Sequence, residues 1–215
     1  MSTPIRLHTY FRSSASFRVR IALNLKGLAY EPVIQNLPKG EHLGEPYRAL
    51  AGFGLVPLLE IDGLRLQQSM AIIEYLEARQ PNPALLPADE AGKARARALS
   101  LAVACEIHPL NNLRVLKHLK NAMGQTQAQI DAWYRHWCDT GLAPLEADLA
   151  AQADGAFAMG AAPSMVDCFL VPQLFNARRY EVDLSRYPRL LAIEAACLRL
   201  NAFQHAQPSA QPDAA

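Results

Sequence analysis

The chain has 215 residues, 51% of them apolar, and a formal net charge of +1, which fits one large or two small globular domains with a substantial core. That charge balance leaves no electrostatic footprint for nucleic acid, and no apolar run approaches the ~20 residues that cross a bilayer. No basic segment followed by an apolar stretch opens the chain, so no secretory leader is expected. Cys105, Cys138, Cys168 and Cys197 are widely spaced in helical, apolar patterns, and none forms a CxxC pair. The expectation is no metal, and buried free thiols in a reducing cytoplasm. Any sulfur chemistry would then use a thiol that is not the chain's own.

Ile5–Tyr10 alternates as a first strand, and a helix from about Ser16 buries Phe17, Ile21 and Leu25 before Gly27. Tyr30–Gln35 resumes as a strand after a crossover long enough for a parallel βαβ unit. Val56–Ile61 and Leu64–Gln67 flank Asp62-Gly63, a hairpin signal. Ser69 can cap a helix with Met70, Ile73 and Leu76 on its apolar face, ending near Pro81. The order βαβ then ββα is thioredoxin-like, which sets the first domain at 1–82.

Prolines from Pro81 to Pro87 mark a linker. Beyond it the chain reads as an all-helical domain, 90–215, with helices at about 91–122, 127–152, 164–180 and 188–204. Pro109 should kink the first of these. Ser164 with Asp167 three residues on is a helix-start signal and no more. The tail from Gln207, rich in Pro, Ala and Gln, is expected to be disordered or loosely draped.

Ligands of a parallel sheet sit at strand C-termini and helix N-termini, where three segments converge. Tyr10-Phe11-Arg12-Ser13-Ser14-Ala15-Ser16 puts hydroxyls and free N–H groups at the positive end of a helix, apt for a thiolate or carboxylate. The same serines serve equally as plain N-caps. Val56-Pro57 precedes an edge strand, and a cis bond there would offer the Val56 backbone to an extended peptide. A trans proline would merely start the strand. Gln68-Ser69 at a helix start suits a carboxylate.

These segments resemble the glutathione transferase superfamily, and within it the zeta class, the maleylacetoacetate isomerases, close to bacterial maleylpyruvate isomerases. The resemblance rests on Tyr10 to Leu23, Val56-Pro57, Gln68 to Leu76 and Leu85-Leu86-Pro87, and runs from about Ile5 to Phe203. It implies a thioredoxin-like glutathione domain, a helical substrate domain and a homodimer. It also implies that Ser13 bonds the glutathione sulfur, Val56 pairs with the cysteinyl unit, and Gln68 and Ser69 hold the γ-glutamyl carboxylate. Two positions depart from the class: Ala15 replaces its usual cysteine, and Leu55 stands where a glutamine is usual. Leu55 cannot contact a carboxylate, so His42 becomes the candidate for the glycine end, with a solvated loop histidine as the alternative.

Isomerising a carbon–carbon double bond requires it to become single for a moment, which addition and departure of a thiolate achieves. Ser13, with Ser14 beside it, is the candidate for stabilising the thiolate, and Arg12 for an enolate or carboxylate. In Glu106–Arg114, His108 and Asn112 fall at i, i+4 and Asn111 and Arg114 at i, i+3, so neighbours can face one pocket or fasten helices together. The class carries a similar run, which points His108 and Asn112 toward glutathione and Asn112 and Arg114 toward a dicarboxylate substrate. Arg178, beside Arg179, could place one more guanidinium on that substrate. Arg18 and Arg20 are assigned to interdomain or dimer packing rather than catalysis. Besides the isomerisation of maleylacetoacetate or maleylpyruvate, the alternatives are displacement on α-halo acids and a non-catalytic interaction module.

Overall fold

The computed structural model describes residues 4–152 and 154–214. In chain order the elements are β1 (Arg6–Thr9), α1 (Ser14–Leu25), β2 (Glu31–Ile34), a 3-10 turn (Glu41–Leu43), α2 (Glu45–Arg48), β3 (Leu58–Ile61), β4 (Leu64–Gln67) and α3 (Ser69–Arg79). After the linker come α4 (Glu90–Leu101), a π-helical segment (Ala102–Ile107), α5 (Leu113–Asn121), α6 (Gln127–Ala151), α7 (Met165–Arg179), a 3-10 turn (Leu184–Arg186), α8 (Pro188–Cys197), α9 (Asn201–Gln204) and a last 3-10 turn (Pro208–Ala210). The chain divides into two compact units, Met1–Leu85 with Leu198–Ala215, and Leu86–Cys197. No helix among the described residues is long and apolar enough to cross a membrane.

The first unit is a four-stranded sheet of order β2-β1-β3-β4, thioredoxin-like as expected. β1 and β2 run parallel, while β3 is antiparallel to both β1 and β4. Asp62 and Gly63 both have positive φ, the geometry of a tight two-residue hairpin, so the Ile61↔Leu64 register follows from that dipeptide. β1, β2 and β3 are shorter than expected at their ends while β4 has the expected bounds, and α1 starts two residues early because Ser13, not Ser16, caps it. At its other end Gly27 takes φ +66 and Leu28 N–H donates to Leu23 C=O, a closing turn that satisfies the last carbonyls. α1 is buried nearly all round, from Ser16 through Leu23, and packs on α3 and α9.

The tail overturns its expectation. The segment from Leu198 groups with the first unit rather than with the helical domain set at 90–215, and its described residues, up to 214, are built rather than loose. Phe203 and Ala206 are fully buried and Pro208 is buried. Composition misleads here because a few well-placed apolar side chains on a preformed surface offset the ordering cost of a short segment.

In the second unit Pro109 does more than kink a helix. The helix widens, with His108 N–H donating to Val103 C=O at 2.9 Å, and then ends. Proline supplies no N–H and its ring crowds the preceding turn, so a new helix must start at Leu113 under the Asn112 cap. The fourth helix expected, 188–204, likewise divides into α8 and α9. Ser164 and Asp167 form the anticipated capping box, and burial pushes the Asp167 carboxyl up while Ser164 and the Ala158 amide bond it. Of the four free cysteines, Cys105 is exposed on the π-helical segment, against expectation; the other three are buried.

α6 lies so close to the π-helical segment that a Cβ on Gly141 would fall 2.2 Å from Ile107 Cγ1. Gly141→Ala should therefore destabilise the protein by about 1–3 kcal/mol, read as a lower unfolding midpoint in urea. An unchanged midpoint would mean that this close approach is slack.

Candidate active site

Ser13 sits at the mouth of α1 with extended backbone, φ −70 and ψ 113. Its Oγ accepts the Ser16 N–H at 3.2 Å, and its amide closes the preceding turn on Tyr10 C=O at 3.0 Å. This cap bond uses one oxygen lone pair and leaves the O–H to donate. No acidic residue stands in the first turn of α1, so no carboxylate there cancels the positive end of its dipole. Ser14 is buried as the first helical residue. Arg12 is exposed, its guanidinium 4.9 Å from the Phe11 ring centre.

The Val56-Pro57 peptide is cis, and Val56 stands beyond the last ladder pairs of β3. The loop carrying it is held from two sides. Tyr47, the buried residue of α2, donates its hydroxyl to Leu55 C=O at 2.7 Å, and burial holds that hydroxyl's pKa above its ordinary value. Gly54, at φ +58, allows His42 C=O to come where a Cβ would lie only 2.9 Å away. The backbone of the half-buried His42 is thereby brought against Gly54.

Ser69 corrects its expectation: it is the first residue of α3, and Gln68 occupies the cap position without a side-chain cap bond. Gln68 is exposed at φ 69 and ψ 118, a conformation that costs a residue with a Cβ about 1–3 kcal/mol. Ser69 is buried, and its Oγ accepts from Arg18 Nη1 at 3.2 Å. Arg18 and Arg20 are themselves buried: Arg18 bonds Ser69, and Arg20 bonds Thr9, Tyr10, Phe11 and Ala206, all within the first unit, where interdomain or dimer packing was expected of them. The readable signal was their setting: arginines inside a run apolar on all sides must be buried and paired.

In the second unit the broken helix still brings His108 and Asn112 together, with Nε2 and Nδ2 3.4 Å apart. Asn112 also caps α5 through the Arg114 amide at 3.1 Å, and the Arg114 side chain is exposed. Asn111 goes elsewhere. It is buried, donating to Tyr134 C=O and the Cys138 sulfur, so it fastens the segment to α6. Arg178 is not left for a substrate carboxylate, because Glu194 takes its fork at both Nη atoms.

Tyr47 is a supporting residue that the sequence reading did not single out, whereas Arg18 and Arg20 were noted there but not for these bonds. Tyr47→Phe leaves Leu55 C=O unpaired and should cost about 1 kcal/mol of stability in urea unfolding. A midpoint equal to the parent's would show that the hydroxyl does not hold this loop.

Two family models match the chain: Glutathione S-transferase, N-terminal domain, over residues 12–79, and Glutathione S-transferase, C-terminal domain, over residues 127–195. The chain is 47% identical over 212 residues to a maleylpyruvate isomerase of Ralstonia sp, covering 98% of this chain and 100% of that one. It superposes at a TM-score of 0.96 on the holo structure of a maleylpyruvate isomerase described as a bacterial glutathione-s-transferase in zeta class, 47% identical and covering 98% and 100% of the two chains. A maleylacetoacetate isomerase from Anaeromyxobacter dehalogenans 2CP-1, solved with glutathione in its active site, matches at a TM-score of 0.90 and 43% identity over 100% of both chains. With its sheet order, its Ser13 turn and its Gln68-Ser69 helix start in place, the chain belongs to the glutathione S-transferase family, in the zeta-class branch of maleylpyruvate and maleylacetoacetate isomerases.

Proposed function

We propose that the protein is a glutathione-dependent cis–trans isomerase that converts maleylacetoacetate to fumarylacetoacetate. The single observation that carries this is the Ser13 hydroxyl, fixed through its lone pair at a helix N-terminus with its O–H left to donate. The first unit fits glutathione: the Ser13 turn suits a thiolate, Val56 an extended backbone, and Gln68 with Ser69 an α-carboxylate. Ser69 repeats the Ser13 arrangement, since Arg18 occupies its lone pair and leaves the hydroxyl proton for an anion. His42 is assigned to the glycine carboxylate in place of Leu55.

Bound glutathione supplies the thiolate whose reversible addition lets the double bond turn. Ser13 donates to that sulfur and, with the α1 dipole, favours the ionised form of a thiol whose ordinary pKa is ~8.5. Ser14 lengthens the hydroxyl-lined turn. Arg12, exposed beside the turn, meets the negative charge that develops on the substrate's keto oxygen, a contact of the kind worth ~3 kcal/mol in oxyanion sites. From the helical unit, His108 and Asn112 are assigned to glutathione, and Asn112 and Arg114 to the dicarboxylate substrate. Arg178 could join them only by giving up Glu194.

Maleylpyruvate is the second reading, favoured by the full-length likeness to the Ralstonia enzyme. Assay of both keto acids with glutathione decides between them. We further infer a homodimer, whose interface would cover the exposed Phe53 and Leu43, and a cytoplasmic setting that suits four free thiols.

Ser13→Ala should lower turnover about tenfold to a thousandfold and leave the unfolding midpoint near the parent's. Because the lost donor had favoured the anion, the rise of rate with pH should also move upward. Turnover equal to the parent's would remove Ser13 from the mechanism. Arg114→Ala should raise the substrate KM by about tenfold or more and the glutathione KM far less; equal rises in both would make Arg114 structural.

A further inference from the structure

Phe11 lies two residues before Ser13, and side chains hold both of its backbone polar atoms. Its carbonyl accepts from Arg20 Nη2 at 3.1 Å, and its amide donates to Asp213 Oδ2 at 3.0 Å. The first partner comes from α1; the second comes from the far end of the chain. Arg20 also donates to Thr9 Oγ1 and Tyr10 C=O, and through Nε to Ala206 C=O at 2.9 Å. One buried guanidinium therefore ties the end of β1, the turn and the tail together.

The tail is anchored well before Asp213. Asn24 Nδ2 donates to Ala202 C=O at 2.9 Å, Phe203 and Ala206 are buried, and Gln211 turns its carboxamide back onto His205 and Gln207 carbonyls. Asp213 is then set against the turn. Its second oxygen, Oδ1, is buried without a hydrogen-bond partner among the described residues, so the carboxylate's recorded bond is spent on the Phe11 amide. Burial lowers the Arg20 pKa to about 10, and the charges of Tyr30 and Asp213 oppose that fall.

We propose that Asp213 is a positioning residue for the thiol site: by holding the Phe11 amide it fixes the turn that aims the Ser13 hydroxyl and carries Arg12. The physical basis is leverage. The turn Tyr10–Ser13 is closed by one backbone bond, Ser13 N–H to Tyr10 C=O, which leaves the central peptides free to tilt. Pinning Phe11 at both its N–H and its C=O removes that freedom, and a charge-assisted bond to an amide is the stronger kind of clamp. A hydroxyl displaced by ~1 Å can cost about a hundredfold in rate. This inference rests on the assignment of Ser13 to the glutathione sulfur.

The test uses the full chain with Asp213→Ala and Asp213→Asn, and Ser13→Ala as reference. The thiolate absorbance of bound glutathione is titrated with pH, alongside kcat/KM for glutathione and the unfolding midpoint. Asp213→Ala should move the thiol titration upward and lower kcat/KM about tenfold to a hundredfold. Asp213→Asn keeps an acceptor oxygen for the Phe11 amide and should recover to within about threefold of the parent. If Asp213→Ala does not fold, Asp213→Ser, polar but too short to reach the amide, should show the same upward titration. A titration and kcat/KM equal to the parent's in the folded variant, whatever its midpoint, would make Asp213 a structural residue and overturn the proposal. Equal ionisation of glutathione by the parent and by Ser13→Ala would overturn the reading of Ser13 itself, and the role of Asp213 with it.

Discussion

A serine hydroxyl carries two lone pairs and one proton, and an N–H that takes up one lone pair fixes the oxygen while leaving the proton to donate. Ser13 gives its oxygen to the Ser16 amide, and Ser69 gives its oxygen to Arg18. Each oxygen is thus held by one bond with its proton still able to donate, and both serines stand where a helix begins. A site made this way selects negative charge without a fixed cation pointing into it, and little has to rotate when the charge arrives. The thioredoxin-like sheet exists, for this purpose, to bring the starts of α1 and α3 and the loop before β3 to one end of the first unit.

Those bonds depend in turn on side chains that touch no ligand. Arg18 reaches Ser69 only because it runs through the interior of the first unit, and Tyr47 crosses beneath the loop that carries Val56. Gln68 shows the cost side. A residue with a Cβ is held at φ 69 where glycine would sit more easily, and its exposed carboxamide is what the position gains. In the helical unit the same logic appears as a break: Pro109 stops one helix, Asn112 starts the next, and His108 meets Asn112 across the gap.

Much of this was legible because it is local. The Asp62-Gly63 hairpin, the Gly27 helix stop, the Ser164–Asp167 box and the cis bond at Val56-Pro57 are all anticipated by a few adjacent residues. Ser13, Val56, Gln68 and Ser69 stood out as candidates because spacing and family resemblance agreed. What escaped depends on partners distant in sequence. Nothing near Arg20 announces Ala206, nothing near Arg178 announces Glu194, and the composition of the last segment hides the buried residues that dock it, Phe203, Ala206, Pro208 and Gln211. Asn111 and Asn112 make the point at one step's distance: the same residue type twice over, one tied to α6 and the other capping α5.

The first unit is built from two separate stretches of the polypeptide, with the helical unit Leu86–Cys197 lying between them in the chain. The segment from Leu198, which caps Arg20 and reaches Phe11, is synthesised only after that whole helical unit, so the thiol-binding half can collapse early but completes its contacts late. A tag or truncation in this segment is therefore not an innocuous change to the enzyme, although its composition makes it look like the safest place for one.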